Sequence, residues 1–135
     1  MFTKSSFKPA WWLKNAHFQT VAAKFFRRHH TIKTINETLE LPDGDFIDLA
    51  WTEKVNAACS RPIVAVLHGL EGSKNSHYAK GMLSAIKAQG WIGVLMHFRG
   101  CSGRPNRMAK SYHSGQTCDV DYFSQYLANN YPKSK

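Results

Sequence analysis

The 135 residues carry 18 Lys+Arg against 9 Asp+Glu, a formal net charge of +9, with 43% hydrophobic and 20% charged residues. That length suits one domain with a buried core and is short for two, and the balance of apolar to charged residues excludes a disordered chain. No apolar run is long enough to span a membrane, and the lysine-studded start "MFTKSSFKPAWWLKN" lacks the uninterrupted apolar segment of a secretory signal.

Residues 10–30 read as an N-terminal arm or helix. Trp12, Phe18, Val21, Ala22, Phe25 and Phe26 fall at spacings that fit one helical face. With Arg27 and Arg28 behind it, such a face can lie on a membrane interface, which makes residues 11–28 a candidate for peripheral membrane contact. Packing against its own domain is the favoured expectation. Residues 34–131 hold the sheet and its helices. "TINETLELPDGDFIDLAW" alternates on both sides of Pro42-Asp43-Gly44, so two strands joined by a tight turn make a hairpin. Ile63 to Leu67 is apolar throughout, as a parallel strand covered on both faces is. It ends at His68-Gly69, crosses a loop containing Gly72, and enters a helix over 76–89. That helix carries Tyr78, Met82, Leu83 and Ile86 on one stripe and stops at Gly90. "WIGVLMHF", Trp91 to Phe98, is the next buried strand. A Gly- and Pro-containing loop follows, and then a helix over 115–131 with Val120, Phe123, Tyr126 and Leu127 inward. Ser114 or Thr117 stands near its cap, and Asp119 and Asp121 lie in its first turn. Hairpin, strand, helix, strand, helix is an α/β order, with a right-handed parallel crossover in its second half.

Charge and cysteines narrow the partners. The basic residues are scattered, with no basic recognition helix, zinc-finger spacing or aromatic RNA-binding signature, so a solvated basic surface and no nucleic-acid partner is the reading. Cys59, Cys101 and Cys118 are odd in number and irregularly spaced, which argues against a disulfide framework and fits a reducing cytoplasm. His97, Cys101, His113 and Cys118 loosely echo a zinc site, but the tight cysteine pair is missing and Cys118 falls within a predicted helix; no metal and no cofactor is expected. Neither phosphate-binding glycine motif occurs, and Glu71 would repel a phosphate at the loop after Leu67. Arg99 is expected to tie its loop through carboxylates or carbonyls.

Five segments carry a family likeness: "NAHFQT", "LELPDGDFIDLAW", "LHGLEGSKNSHYAKG", "GWIGVLMHFRGCSGRPNR" and "SYHSGQTCDVDYF". Together, from about Trp11 to Tyr126, they resemble the N-terminal portion of the YheT-like branch of the α/β-hydrolases. The resemblance implies a hydrolase sheet with strand order 1-2-4-3-5-6-7-8 and a Ser-Asp-His triad acting on small-molecule esters. It also implies that the loop after the third strand gives one backbone N–H of the oxyanion hole, the other coming from the residue after the nucleophile. By position that donor is Leu70. Gly69 lets the backbone approach the substrate, and His68 braces the loop without acting as the base.

The departure from the family is the nucleophile. No G-x-S-x-G pentapeptide occurs in the 135 residues; "GCSGR" comes nearest, but Ser102 has the wrong spacing and leads into a loop with Pro105. The expectation is an α/β-hydrolase domain cut before its nucleophile strand, with the acid and base also beyond it. A triad improvised from Ser76, Ser102, Ser111 or Ser114, from His77, His97 or His113, and from Asp119 or Asp121 is disfavoured, because a triad is a matter of geometry. Alone, such a chain is expected to be inactive, and any role left to it would be that of a binding or interaction module. Without a fifth strand, Ile63–Leu67 becomes a sheet edge, which invites self-association or a complementing fragment.

Overall fold

The computed structural model describes residues 5–26, 31–70, 72–113 and 115–134. The chain runs α1 (Ala16–Phe26), β1 (Ile35–Glu40), β2 (Phe46–Trp51), β3 (Ile63–Leu67), α2 (His77–Ala88), β4 (Ile92–His97) and α3 (Cys118–Asn130). The hairpin forms as the alternation predicts, with Ile35 opposite Trp51 and Glu40 opposite Phe46. Its turn closes through Leu41 N–H to Asp45 O at 2.8 Å and Gly44 N–H to Leu41 O at 3.0 Å, with Gly44 at φ +84°, a conformation that suits glycine.

Among the described residues the strands form one sheet in the order β1-β2-β4-β3. This is the first half of the order implied by the family likeness. β2 and β4 are antiparallel, and β3 and β4 are parallel, joined by the α2 crossover. β4 is buried at all six positions, and its side chains alternate between two cores. Ile92, Val94 and Met96 join Leu39, Ile47, Leu49, Trp51 and Phe123 of α3 on one face. Leu95 joins Ala50, Val66 and the α2 residues Ala79, Leu83 and Ile86 on the other. Period two in the strand is what sends neighbours to opposite layers. Each fully buried aliphatic side chain contributes roughly 1.5–3 kcal/mol.

Several expectations need correction. β3 is buried on neither side throughout: among its five residues only Val66 is fully buried, and Leu67 is 44% exposed. It lies at the sheet edge, with β4 on one side only. Met82 is 49% exposed and Ala79 takes its place on the buried stripe of α2, because the helix packs through 79, 83 and 86. The last helix begins at Cys118. Thr117 stands at its N-cap with φ −103° and ψ −26°, and its side chain makes no capping hydrogen bond; Ser114 lies outside the described residues.

The arm differs most. α1 forms inside the expected 10–30 but starts only at Ala16, which leaves Trp12 outside the helix, and Phe18 and Val21 of the expected face are 68% and 42% exposed. Phe18 and Val21 are therefore left largely uncovered by the rest of the described residues. The side chains of Phe25 and Phe26 lie outside those described.

Candidate functional site

The loop that leaves β3 is tied down almost residue by residue. His68 is 5% exposed; its Nδ1–H donates to Gly69 O at 2.7 Å and its Nε2 accepts Phe98 N–H at 3.1 Å. His97, at the end of β4, mirrors it: Nδ1–H donates to Asp48 O at 3.0 Å and Nε2 accepts Lys74 N–H at 3.1 Å. A carbonyl can only accept and an amide N–H can only donate, so both imidazoles are neutral with the proton on Nδ1. Their rings stand 6.1 Å apart. Gly69 N–H donates to the Tyr78 hydroxyl at 2.9 Å, Gly72 N–H to Gly69 O at 2.9 Å, and Ser73 N–H to Ser76 Oγ at 3.1 Å.

At the crest of this loop Leu70 is 89% exposed. Its N–H makes no hydrogen bond to another described residue. A Cβ on Gly69 would meet only the Tyr78 hydroxyl, at 3.9 Å, so the chain's own packing does not demand glycine there. Gly72 is different: a Cβ would lie 2.3 Å from the Tyr78 hydroxyl and 2.8 Å from His68 Cβ. Gly72→Ala is expected to destabilise the chain by roughly 1–3 kcal/mol through this overpacking. Gly69→Ala should fall below that, and urea unfolding of the two variants side by side checks it.

Beside the loop, at the carboxyl end of β4 and over β1 and β2, lies an open cleft of about 440 Å³ lined in part by Asn36, Thr38, Asp48, Lys74, His97 and Arg104. Its polar groups bond to one another, with two cations, Lys74 and Arg104, beside one carboxylate, Asp48. Arg104 donates to Asp48 Oδ2 at 2.8 Å and to Thr38 Oγ1 at 2.6 Å, and Lys74 Nζ to Asn36 Oδ1 at 2.7 Å. Burial raises the Asp48 carboxyl, but hydrogen bonds from Arg104, Ser102 and Thr38 outweigh it and bring it to about 2. Burial of His97 lowers its proton affinity, with His68 and Lys74 acting the same way and the hydrogen bond to Asp48 opposing.

The loop after β4 is anchored by Arg99, which is 4% exposed. Its Nε and Nη2 fork onto the two Asp119 oxygens, both at 2.8 Å, and Nη1 reaches Asp43 Oδ2 at 2.8 Å and Asp45 Oδ2 at 3.0 Å. The expected carboxylate role of Arg99 is thus observed. Asp119 is assigned by its position to the helix dipole, but its side chain is a buried partner of Arg99.

Among the described residues no improvised triad assembles: no serine hydroxyl is hydrogen-bonded to a histidine, Asp119 is held by Arg99, and both His97 nitrogens serve the backbone. No group of three or more His, Cys, Asp or Glu among the described residues is placed to hold a metal. His113 Nδ1 accepts Gly115 N–H at 3.2 Å, a loop-shaping contact. Among the described residues no helix is long and apolar enough to cross a membrane.

No family model matches the chain. It is 47% identical over 129 residues to "Putative esterase YheT" of Escherichia coli, a match that covers 96% of this chain and 38% of that protein. Among solved structures it resembles the protein ATU1826 of Agrobacterium tumefaciens, with TM-score 0.58 and 16% identity over 75% of this chain and 45% of the other. It also resembles the esterase Pf2001 of Pyrococcus furiosus, with TM-score 0.54 and 17% identity over 77% and 39%. The sheet order is that of an α/β-hydrolase fold, and in sequence the chain is similar to the N-terminal part of YheT, spanning a little over a third of the length of that relative.

Proposed function

We propose that this chain is the N-terminal part of a carboxylic-ester hydrolase that works through an acyl-enzyme, with the Leu70 backbone N–H as one donor of the oxyanion hole. The observation that carries this is the loop itself. Leu70 projects at the end of a parallel strand, where α/β folds bind ligands, and the turns on either side are held by buried His68 and His97 and partly buried Tyr78. A rigid donor aimed at the developing alkoxide costs no reorganisation as the tetrahedral intermediate forms. His68 supports the loop through Gly69 O, and Gly69 leaves room for a small-molecule ester. The nucleophile, the acid and the base are supplied by chain outside these 135 residues, and no cofactor is required.

Two measurements test this. The intact mass of the endogenous product should exceed 15.3 kDa, and that product should hydrolyse p-nitrophenyl esters while the 135-residue chain does not. Hydrolysis by the short chain, abolished by substitution of a serine within it, would overturn the proposal.

The β3 edge favours a second reading, in which this chain acts as a non-catalytic interaction module. An edge strand offers unpaired N–H and C=O groups to another strand, and here it carries a 44% exposed Leu67. The purified chain is expected to sediment as a species larger than a monomer, and Leu67→Lys to shift it toward monomer. A monomer with a sharply cooperative thermal transition rules this reading out.

A further inference from the structure

The two buried imidazoles differ in what they hold. His68 belongs to the loop and bonds within it and to Phe98. His97 belongs to the sheet, and its ring is the cross-brace from β2 to the loop: Asp48 O on one side, Lys74 N–H on the other. Lys74 is 23 residues from His97 in sequence, so no local turn geometry replaces this contact. It fixes the far end of the segment whose near end presents Leu70.

We propose that His97 is a positioning residue that latches the 68–76 loop through the Lys74 amide and releases it when the imidazole takes a proton. A proton on Nε2 points N–H at N–H, so the acceptor becomes a second donor and the contact turns repulsive. Nδ1–H keeps its bond to Asp48 O throughout, so the ring stays attached to β2 and lets go of the loop alone. The charged groups around the ring work in both directions. Lys74 from the loop and Arg104 from across the cleft disfavour the imidazolium; the Asp48 carboxylate on β2 favours it but is already held by Arg104; His68 faces the ring from β3's end at 6.1 Å. α2 contributes Tyr78 to the loop, through Gly69 N–H. With burial lowering the proton affinity of His97 in the folded chain, the unfolded or opened state binds the proton more readily. Loop stability is therefore full above the ordinary histidine range and falls as pH drops through it toward the folded value. The consequence for catalysis, a hole assembled only above mildly acid pH, rests on the Leu70 reading.

The test uses the 135-residue chain and reads the loop directly. Long-range ¹⁵N spectra of the imidazoles should show His97 as the Nδ1–H tautomer near neutrality. Hydrogen exchange at the Lys74 amide should lose about tenfold or more of its protection between roughly pH 7.5 and 5, while Val94 and Met96 in β4 remain protected. In His97→Gln the side-chain oxygen takes the place of Nε2 as acceptor and does not titrate, so protection at Lys74 should persist and become insensitive to pH. His97→Phe should lose it at every pH. Wild-type protection that does not change across this range, an Nε2–H tautomer, or a His97→Gln chain with the wild-type pH profile each overturns the latch. If a variant fails to fold, the wild-type tautomer and titration still decide. None of these results bears on whether Leu70 meets an oxyanion, which the proline substitution below reads separately.

Discussion

Leu70→Pro in the longer product, on the proposal that it hydrolyses esters through this loop, is expected to lower kcat by roughly 10²–10³-fold, the loss that follows removal of one oxyanion donor. Leu70→Ala should stay within a few-fold of the parent. The pair separates backbone from side chain. Proline has no N–H, whereas alanine keeps it and removes only a side chain that is 89% exposed and buries little. The neighbouring donor cannot substitute, because Gly69 N–H is already committed to the Tyr78 hydroxyl at 2.9 Å. An interaction made only with the developing oxyanion lowers kcat and kcat/KM together and leaves KM nearly unchanged. Steady-state kinetics on a p-nitrophenyl ester reads both. Equal activity of the proline and alanine variants would remove Leu70 from the hole, whatever the family likeness implies.

Local pattern made much of this fold legible. The bounds of β3 follow from a continuous apolar run stopped at His68-Gly69, and the hairpin around Pro42-Asp43-Gly44 and the α2 crossover from periods of two and 3.6 with glycine and proline punctuation. The strand order came from the likeness to a family, since periodicity says which residues make a strand and not which strand lies beside it. What stayed hidden is long-range pairing. Asp119 reads as a first-turn acid because that is a one-turn rule, while its true partner Arg99 lies 20 residues back, and Asp45 lies 54 residues from the same guanidinium. His97 could be weighed as a ligand or a base but not as a brace, because its contacts are backbone groups of Asp48 and Lys74, which no side-chain pattern records. The arm shows the same limit from the other side. Amphipathic spacing announces an apolar face and is silent on what covers it.

Arg99→Met is expected to cost about 3–5 kcal/mol, the range for stripping one partner from a buried ion pair. For a small domain that is a large part of the whole stability. The reason is what remains. The Asp119 and Asp45 side chains are 3% and 0% exposed, and without the guanidinium these carboxylates are buried anions with too few donors. Asp45 keeps the Arg107 and Phe46 amides, both at 2.9 Å, and Asn106 Nδ2 at 3.1 Å; Asp119 loses both legs of its fork. Arg99→Lys should fall between, since an ammonium restores charge without the planar two-pronged geometry. Acid sets the sign test. In the parent, burial pushes the Asp45 carboxyl up, but hydrogen bonds from Arg107, Asn106, Phe46 and Arg99 prevail and hold it well below the usual carboxylate range; Arg99 also lowers Asp43. Carboxyls with depressed folded values stabilise fully above the unfolded value near 4 and lose that contribution as pH falls through the folded one. Removing Arg99 takes away part of what holds them down, so their folded values rise and protonation relieves the variant sooner. The stability gap between parent and Arg99→Met, read by urea unfolding, should therefore be widest at neutral pH and narrow as pH falls toward about 4. A gap below about 1 kcal/mol at neutral pH is what an exposed salt bridge gives, and would mean that the three carboxylates do not depend on this arginine.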